Sequence, residues 1–310
     1  MDINLTIAIP TCNRPDKLDR LLQSLSKQEV KSFKIIVVDS SEKFSSVCKN
    51  YPQLQIQHTH FPHKNLPLQR KFAIDNCSTD YLGFLDDDVT LEPNVVGGLV
   101  KNLKSDNKKL GGVTAWIDNI PTQVANERRR FRLSLSGLST SFPGVINTGG
   151  ICSPILEKPE TALNISVLSG PCMFFKTDLI KRYGNLPELY NLYHSRQGRG
   201  EDAWLSGQLT KNGFRLLLIP RYVVHHHTEG GGSAISSQQI KLGIANTYGR
   251  YRLSASIVKN WSWWGRLRCL QYIIISSILL RRSYILNPEY FIGALIGMSK
   301  IFLKRNDSNG

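Results

Sequence analysis

The segment LTIAIPTCNRPDKLDRLLQSLSKQEVKSFKIIVVDS, residues 5–40, decides the fold class because its hydrophobic period changes twice. Two β-branched runs, LTIAIP (5–10) and KIIVVD (34–39), predict short buried strands. Between them, Leu18, Leu21, Leu22 and Leu25 follow the i, i+3, i+4, i+7 spacing of one apolar helix face, and Pro15 suits a first helical turn. A strand, a helix and a second strand in this order predict a parallel βαβ unit.

The same alternation continues to an acidic cluster. LPLQRKFAIDNC (66–77) predicts a helix, YLGFL (81–85) predicts a strand, and Pro93 is expected to open a third helix beyond the aspartates. Ligands of such sheets bind outside the carboxyl ends of the strands. We therefore expect the loops that begin at Pro10, Asp39 and Asp86 to face one crevice.

The middle of the chain has a looser pattern. After GGVTAWI (111–117), the basic segment PTQVANERRRFRLSLSGL (121–138) lacks a clear period, and we interpret it as irregular. Regular structure is predicted to resume with PCMFFKTDLIKRYG (171–184) and GEDAWLSGQLTKNGFRLLLIP (200–220).

Composition limits the classes of function. The chain has 310 residues, is 41% hydrophobic and carries a formal net charge of +15, which suits a folded protein with a polyanionic partner. The six cysteines form no CxxC pair, so we expect neither disulfides nor zinc. The first residues lack the features of a signal peptide, and we interpret the location as cytoplasmic.

The C-terminal region is basic and apolar. Residues 250–310 hold ten Lys and Arg residues against two acids, giving 10 − 2 = +8. The apolar stretches at 269–280 and 288–305 fall short of the roughly 20 residues that cross a bilayer. Tryptophans 261, 263 and 264 beside arginines predict a helix that lies peripherally on an anionic membrane surface. The alternative is a helix hairpin packed on the core, and both interpretations are compatible.

Asp86, Asp87 and Asp88 follow a predicted buried strand, where three adjacent carboxylates need a compensating cation. Mg²⁺ or Mn²⁺ fits oxygen ligands and also holds substrate phosphates. If the strand continues, alternation directs Asp86 and Asp88 to one side and Asp87 to the other. A solvated acidic turn is the simpler alternative.

Two other classes of function compete for these residues. LGFLDDDVTL (82–91) fits the hhhhDxDx[TV]L pattern of haloacid dehalogenase-type phosphatases, in which Asp86 would be the nucleophile. That family places the motif on its leading strand, whereas here at least two strand and helix units precede it. A non-enzymatic basic module that binds membrane or RNA is the third class, but it has no use for the acidic motifs, and we expect no nucleic-acid partner.

With the upstream loops added, the sequence resembles family 2 glycosyltransferases of the GT-A fold, from about Leu5 to about His227. The resemblance rests on four segments: IAIPTCNRPDKLDRLLQSL (7–25), IIVVDSS (35–41), NLPLQRKFAID (65–75) and FLDDDV (84–89). Lys71 departs from the asparagine more usual in that family. The resemblance implies an α/β fold, Rossmann-like with a mostly parallel sheet flanked by helices, followed by a C-terminal helical extension.

The resemblance also implies a donor site. Its nucleotide-sugar-binding residues would be Pro10, Thr11, Asn13, Arg14, Asp39, Arg70, Asp86 and Asp87. Asp39 would accept a hydrogen bond from the base, and Arg70 would lie near the base or the phosphates. Asp86 would lie near the ribose and the metal, and Asp88 would be the main ligand of a Mg²⁺ or Mn²⁺ cofactor.

GRGEDAWLSGQL (198–209) places Glu201 and Asp202 in a first helical turn, where acids are favourable without any catalytic role. The resemblance instead implies that Asp202 is the base that deprotonates the acceptor, with Glu201 in support.

Three histidine-rich or arginine-rich segments remain. VVHHHTEGGG (223–232) offers His227, or else His226, as a further metal ligand or a diphosphate contact at a strand end, and a merely polar strand terminus is the alternative. HTHFPHK (58–64) is interpreted as a loop. RRRFR (128–132) is a solvated face or a clamp on a diphosphate acceptor.

The function implied is an inverting, metal-dependent transfer of a sugar from a nucleotide-sugar, UDP- or dTDP-type, to a hydroxyl of a saccharide or lipid-linked saccharide. Cell-surface polysaccharide assembly at the cytosolic face of the membrane is the implied setting. We expect a catalytic domain at 1–235, with a nucleotide-binding half at 1–100 and an acceptor half at 101–235, and a helical, membrane-associating region at 236–310.

Overall fold

A mixed sheet lies at the centre of the structure, which is a computed structural model. It describes residues 3–43, 46–105, 109–118, 123–184, 200–227, 239–280 and 287–303. Within these ranges the sheet has nine strands in the order β3-β2-β1-β4-β8-β6-β9-β5, and β7 pairs with β9. The strands are β1 (Leu5–Thr11), β2 (Lys34–Asp39), β3 (Gln55–His60), β4 (Tyr81–Leu85), β5 (Val89–Leu91), β6 (Leu110–Asp118), β7 (Leu163–Ile165), β8 (Cys172–Lys176) and β9 (Arg215–His226).

Six of the nine described strands run in one direction. β3, β2, β1 and β4 are mutually parallel, and β6 and β9 share their direction, whereas β5, β7 and β8 run the opposite way. The predicted mostly parallel sheet is therefore confirmed. Because parallel strands end at the same edge, Thr11, Asp39 and Leu85 bring their following loops together, and His226 ends β9 at that edge too.

Helices cover both faces of the sheet. They are α1 (Pro15–Ser26), α2 (Leu66–Asn76), α3 (Val95–Ser105), α4 (Gln123–Leu135), α5 (Thr177–Tyr183), α6 (Glu201–Lys211), α7 (Gln239–Ile244), α8 (Arg250–Ile257), α9 (Trp263–Ile274) and α10 (Pro288–Leu303). A short 3₁₀ turn lies at Val47–Asn50, and π-helical turns lie at Ala245–Gly249 and Ile275–Leu279.

The predicted helix of the first βαβ unit is confirmed. Leu18, Leu21, Leu22 and Leu25 of α1 are buried, as the spacing required. They pack with residues of α3 on one face of the sheet. On the other face, α2, α5 and α6 bury a second apolar cluster that includes Phe84 and Phe175. The helices predicted around 66–77 and after Pro93 are also confirmed, with α3 beginning at Val95.

The interpretation of residues 121–138 as irregular is wrong, because Gln123–Leu135 is a helix. Its sequence is strongly basic, so a weak apolar stripe concealed the helical period. Leu133 is buried with Cys269 and Tyr272 of α9. This tertiary contact stabilises a helix that the local hydrophobic pattern does not predict.

The C-terminal helices pack on the core, as one of the two interpretations expected. Gly207 of α6 lets Ile257 of α8 approach so closely that an added Cβ would lie 2.5 Å from its Cγ2 atom. Gly293 of α10 meets the backbone of Ile240 in α7 in the same way. The expected domain boundary at 235 lies outside the described residues and stays a prediction.

These helices also expose apolar side chains. Trp263 and Trp264 retain 58% and 61% of their accessible surface, and α10 exposes Phe291, Leu295 and Phe302. By contrast, Trp261 donates its Nε1 hydrogen to the carbonyl of Thr148, 2.9 Å away, so it is not part of the outward-facing aromatic pair. Among the described residues, no helix combines the length and the apolar character needed to cross a membrane.

Candidate active site

The three aspartates lie in the turn between β4 and β5, not on a continued strand. Strand alternation therefore does not apply to them, and the pairing of Asp86 with Asp88 on one side stays a prediction. Each carboxylate instead has its own cationic neighbours. Asp86 contacts Arg70, Asp87 contacts Arg14, and Asp88 contacts both Arg14 and Lys17.

Asp87 is the most buried of the three aspartates. It accepts hydrogen bonds from the Thr11 hydroxyl at 2.7 Å and from Arg14 Nη1 at 3.1 Å. Burial raises the pKa of Asp87 to about 6, although the Thr11 hydrogen bond and the Arg14 charge oppose that rise. These contacts tie the turn to the first loop, so Asp87 acts as an anchor between two strand ends.

Asp88 is set up to remain ionised. One oxygen lies 3.3 Å from Lys17 Nζ, and the other lies 3.2 Å from His226 Nε2. Burial alone would raise the pKa of Asp88, but the His226 hydrogen bond and the Lys17 charge outweigh it and lower the pKa. The hydrogen bond to Asp88 in turn raises the pKa of His226.

The loop after β1 adopts a conformation that suits its sequence. Asn13 has φ of 56°, in the left-handed region that asparagine tolerates better than most residues. Its backbone N–H donates to the Ser41 hydroxyl at 2.7 Å, and its side-chain oxygen accepts from the Glu42 N–H at 3.2 Å. Pro10, paired with Val38 in the β1–β2 ladder, precedes this loop. The loops after β1 and β2 are thus hydrogen-bonded to each other and form one wall.

Asp39 ends β2 and is almost fully buried. It accepts a hydrogen bond from the Ser41 N–H at 2.8 Å, and its other oxygen lies 3.0 Å from His58 Nε2. Burial raises the pKa of Asp39, but the hydrogen bonds from His58 and Ser41 together lower it below the ordinary value. Asp39 is therefore a fixed carboxylate beside the crevice.

The interpretation of residues 58–64 as a loop is wrong for His58 and His60, which belong to strand β3. Polar residues fill this strand because it is the outermost strand beside β2 and is only partly buried. Its parallel pairing with β2 brings His58 alongside Asp39.

Gln69 is a site residue that sequence reasoning missed. Its buried amide donates to the carbonyl of Thr11 at 2.9 Å and to the carbonyl of Val38 at 2.7 Å. These two bonds fix the carboxyl ends of β1 and β2 against α2. The sequence feature that could have indicated this role is a glutamine on the apolar side of a predicted helix.

Arg70 joins the aspartate turn to the helix that carries Glu201. Its guanidinium donates to Glu201 Oε1 at 2.8 Å, to Asp86 Oδ1 at 2.9 Å and to the carbonyl of Gly170 at 3.1 Å. It also lies over the ring of Phe84, 5.7 Å from the centroid. The side chain is only 1% exposed. Burial lowers the pKa of Arg70, but the negative charges of Glu201 and Asp86 raise it by more, so the net shift is upward and the arginine remains charged.

Glu201 and Asp202 begin α6 immediately after Gly200, which has φ of 99°. Burial raises the pKa of Asp202, and the Arg70 charge opposes the rise. The same two effects act on Glu201, whose pKa is raised. Asp202 Oδ1 accepts from the Ala203 N–H at 2.8 Å, whereas Glu201 is held by Arg70.

Asp202 lines a cavity of about 440 Å³. Its described walls include Thr114, Trp116, Asn126 and Ser169. A carboxylate with a raised pKa at the wall of a cavity of this size can take a proton from a bound hydroxyl group. Glu201, buried against Arg70, has a supporting position.

The three histidines at the end of β9 have different surroundings. His226 contacts Asp88, whereas His227 Nε2 lies 2.9 Å from the Thr90 hydroxyl, and His225 pairs with Asp118. Of the two expected histidines, the structure thus brings His226, and not His227, to the side chain of Asp88. His227 contributes its backbone N–H, which donates to the Asp88 carbonyl at 2.8 Å.

The side chains at the aspartate turn fit a divalent ion for which the protein supplies only some of the ligands. Within the described ranges, no group of three or more His, Cys, Asp or Glu residues is arranged to hold a metal ion. Mg²⁺ is usually bound through one or two carboxylates, with substrate phosphates and water completing its coordination. Asp88, kept ionised, and Asp86, 27% exposed at its side chain, are the carboxylates available for such an ion.

Comparison with known sequences agrees with this geometry. The sequence model described as Glycosyl transferase family 2 matches residues 6–184, more than half of the chain. The succinoglycan biosynthesis protein ExoM of Rhizobium meliloti is 25% identical over 171 residues, which cover 52% of this chain and 54% of ExoM. Glycosyltransferase GlyA of Streptococcus pneumoniae is 26% identical over 107 residues, covering 33% of this chain and 15% of GlyA. The chain thus matches about half the length of ExoM and a smaller part of GlyA.

Solved structures share the fold. TarS 1-349 of S. aureus in complex with UDP-GlcNAc has a TM-score of 0.59 and 14% identity, covering 94% of this chain and 79% of that one. The mannosyltransferase PcManGT of Pyrobaculum calidifontis, in complex with GDP-Man and Mn²⁺, has a TM-score of 0.55 and 13% identity, covering 97% and 75%. At these identities the similarity establishes the architecture, and the expected GT-A fold is confirmed.

Proposed function

Because the chain belongs to glycosyl transferase family 2, we propose that it transfers a sugar from a nucleotide-sugar to a hydroxyl group of a saccharide or lipid-linked saccharide. The observation that carries this proposal is the position of Arg70, which bridges Asp86 and Glu201 at 2.9 and 2.8 Å. This bridge joins a crevice suited to a charged donor to the start of α6, where the next residue, Asp202, is suited to an acceptor hydroxyl. A UDP- or dTDP-type donor is the proposed class.

The donor would occupy the crevice at the carboxyl ends of β1, β2 and β4. Pro10, Thr11 and Asn13 form its first wall, and Asp39 offers a fixed carboxylate to the N–H of a base. Arg14 and Lys17 lie beside Asp88, where they can pair with a diphosphate when it arrives. This arrangement of a carboxylate wall and a cationic rim supports a nucleoside diphosphate group.

The metal dependence of the reaction belongs to the same proposal. Asp88 and Asp86 would hold Mg²⁺ or Mn²⁺, and when bound this ion offsets the negative charge of the departing nucleoside diphosphate. Solved structures of the same fold, PcManGT and GalNAc-T7, are complexes with Mn²⁺. Asp87 keeps the turn in place through Thr11 and Arg14.

The acceptor would enter the cavity beside Asp202. Asp202 takes the proton of the acceptor hydroxyl, the acceptor oxygen bonds to the anomeric carbon, and the bond from that carbon to the phosphate oxygen breaks. Attack from the face opposite the leaving group inverts the anomeric centre. Glu201 and Arg70 position the start of α6, which carries Asp202.

Location and domain organisation complete the proposal. The exposed pair Trp263 and Trp264, the apolar surface of α10 and the basic C-terminal charge support peripheral binding to an anionic membrane on its cytosolic face. We assign 1–235 to catalysis, with donor and acceptor halves at 1–100 and 101–235, and 236–310 to membrane association. Polysaccharide assembly, in which ExoM takes part by name, is the proposed setting.

The direct experiment is a screen of nucleotide-sugars with the full chain, Mn²⁺ and a panel of saccharide acceptors, read by product mass. We expect one donor class to give a product whose mass rises by one sugar and whose formation stops in EDTA. The variant Asp88→Ala should lose this activity. Transfer at the wild-type rate in EDTA or in Asp88→Ala would overturn the metal assignment.

Family membership favours this function over the phosphatase alternative, which makes a different prediction. A phosphatase would release phosphate from simple phosphomonoesters without any nucleotide, and Asp86→Asn would abolish that release. Because Asp86 is paired with the buried Arg70, we expect no such activity. Phosphate release that depends on Asp86, in the absence of sugar transfer, would replace the proposal.

A further inference from the structure

A second cavity lies against the acceptor side of the site. It has a volume of about 350 Å³ and is enclosed by α4, by the segment 146–152, by the start of α6 and by the C-terminal helices. That volume falls within the range of about 300–1,000 Å³ typical of small-molecule sites. We refer to it as the arginine cavity, because Arg129, Arg132 and Arg250 line it.

The charge of the arginine cavity is one-sided. Among its described lining residues, three are arginines and none is Asp or Glu. Three cationic side chains at the wall of one cavity favour an anion as its ligand. The lining also includes Ser254 and Ser277, whose hydroxyls already donate to the carbonyls of Gly150 and Asn246. The amide of Asn246 donates to the Tyr290 hydroxyl at 3.3 Å and has a second N–H that a phosphate oxygen can accept from. The chemistry of the cavity therefore suits an anion with several oxygens.

The arginines are held by separate elements. Arg129 of α4 donates through Nη2 to the carbonyl of Cys152 at 2.6 Å, and its buried Nε has no hydrogen-bond partner among the described residues. Arg132 follows three residues later on the same helix. Arg250 of α8 lies over the ring of Tyr272, with 5.6 Å between its Cζ atom and the ring centroid. Arg129 and Arg250 are thus fixed on two different helices at the wall of one cavity, which suits the binding of a phosphate group.

The arginine cavity adjoins the cavity that contains Asp202. Arg129, Cys152, Val167 and Ala203 line both of them. Thr11, Asp39 and Asp88 of the donor crevice belong to the described lining of neither. A molecule that spans the two cavities would thus bring one end to the arginines and the other to Asp202 without entering the donor crevice.

We propose that the arginine cavity binds the phosphate or diphosphate ester of the acceptor, so that a hydroxyl of the attached sugar reaches Asp202 in the adjoining cavity. This inference rests on the proposed function and names the acceptor class of the same site. It also assigns a role to Arg129 and Arg132 of the basic segment 128–132 and to the packing of C-terminal helices beside α6. Arg250, from the C-terminal region, and Arg129, from α4, act on one ligand.

The binding test uses the full chain in EDTA, titrated calorimetrically with inorganic pyrophosphate. Arg132→Gln and Arg250→Gln lie on different elements, so a folding defect in one leaves the other informative. Arg128→Gln, at an exposed position of α4, is the matched control. We expect Kd to rise at least about tenfold in each of the first two variants and to stay unchanged in the control.

Pyrophosphate has a second place to bind, the donor crevice, and Arg14→Gln separates the two. We expect Arg14→Gln to bind pyrophosphate in EDTA with the wild-type Kd, because the arginine cavity needs no metal ion. The proposal is overturned if the wild-type chain binds no pyrophosphate saturably. It is also overturned if Arg14→Gln loses the binding while Arg132→Gln and Arg250→Gln keep it.

The kinetic test compares one acceptor sugar with and without a lipid diphosphate, at saturating donor. We expect Arg132→Gln and Arg250→Gln to raise the KM of the phosphorylated acceptor about tenfold, with the donor KM and the reaction of the unphosphorylated glycoside unchanged. At saturating donor, pyrophosphate should compete with the phosphorylated acceptor and not with the unphosphorylated glycoside. If the enzyme is active and both variants have the wild-type KM for both acceptors, the acceptor assignment is overturned. Arginine-dependent pyrophosphate binding in a chain that transfers no sugar would instead overturn the proposed function.

Discussion

Arg70→Ala is the substitution whose effect the structure predicts most sharply. It deletes a guanidinium that donates to Glu201 at 2.8 Å, to Asp86 at 2.9 Å and to the carbonyl of Gly170 at 3.1 Å. Glu201 is buried, and its Oε2 atom already has no hydrogen-bond partner among the described residues. The variant therefore leaves a buried carboxylate without its cation.

The magnitude follows from this uncompensated charge. Removing one partner of a buried ion pair costs about 3–5 kcal/mol of unfolding free energy. The contact with Asp86 adds less, because that carboxylate is 27% exposed and water screens it. Arg70→Lys should recover only part of the loss, since a single ammonium cannot reach Glu201, Asp86 and the Gly170 carbonyl in the geometry of the fork.

The assay is denaturant unfolding at neutral pH, with Lys71→Ala as the matched control. Lys71 is the next residue of α2 and forms an exposed i,i+4 pair with Asp75, for which about 0.3–0.5 kcal/mol is expected. The double variant Arg70→Met/Glu201→Gln should cost less than the sum of its single substitutions, because no buried charge is left unpaired. A loss below about 1 kcal/mol for Arg70→Ala, or additive single costs, would refute the argument.

Three further predictions concern catalysis, stability and location. Burial raises the pKa of Asp202, and a base must be deprotonated to act. As the pH is lowered, kcat/KM should therefore begin to fall at a pH above the ordinary aspartate pKa of about 3.9, which a pH profile of kcat/KM measures. Gln69→Leu should lower unfolding free energy by about 1–3 kcal/mol, since it removes two buried hydrogen bonds to strand-end carbonyls, and denaturant titration measures this. The double variant Trp263→Ala/Trp264→Ala should lose retention on anionic liposomes at unchanged thermal stability, because both rings are exposed, and unchanged retention would contradict the membrane assignment.

The parts of the fold that sequence alone predicts are those in which local pattern and tertiary packing agree. The four leucines of α1 and the β-branched runs of β1 and β2 have one dominant period each, so the βαβ unit was predictable. Helix α4 was not, because its burial against α9 depends on Leu133 and on a partner more than a hundred residues away. Contacts at that separation leave no local period in a basic segment.

The site was predictable at the level of loops and not at the level of contacts. Parallel strands must end at one edge, so the approach of Thr11 to Asp87 follows from the topology. The direction of each carboxylate does not, because a turn replaces the strand whose alternation was assumed. Arg70 and Gln69 illustrate the same limit, since no spacing indicates that adjacent residues of one helix bind Glu201 and two strand ends, respectively.

The three histidines at the end of β9 also have contacts that the sequence pattern does not predict. His225, His226 and His227 are equivalent in sequence, but a strand directs successive side chains to alternate faces. His226 consequently meets Asp88, whereas His225 and His227 meet Asp118 and Thr90. The pairing register of β9 makes this choice, and that register depends on the whole sheet.

The central claim is that the aspartate turn and Asp202 belong to one transferase site, and Asp202→Asn tests it most directly. The amide has nearly the same shape and can still accept from the Ala203 N–H, but it cannot take the proton of an acceptor hydroxyl. With the donor and acceptor found in the screen, we predict unchanged nucleotide-sugar affinity and a kcat about 10²–10⁴-fold lower than that of the wild type. Sugar transfer by Asp202→Asn within a few-fold of the wild-type rate would contradict the account.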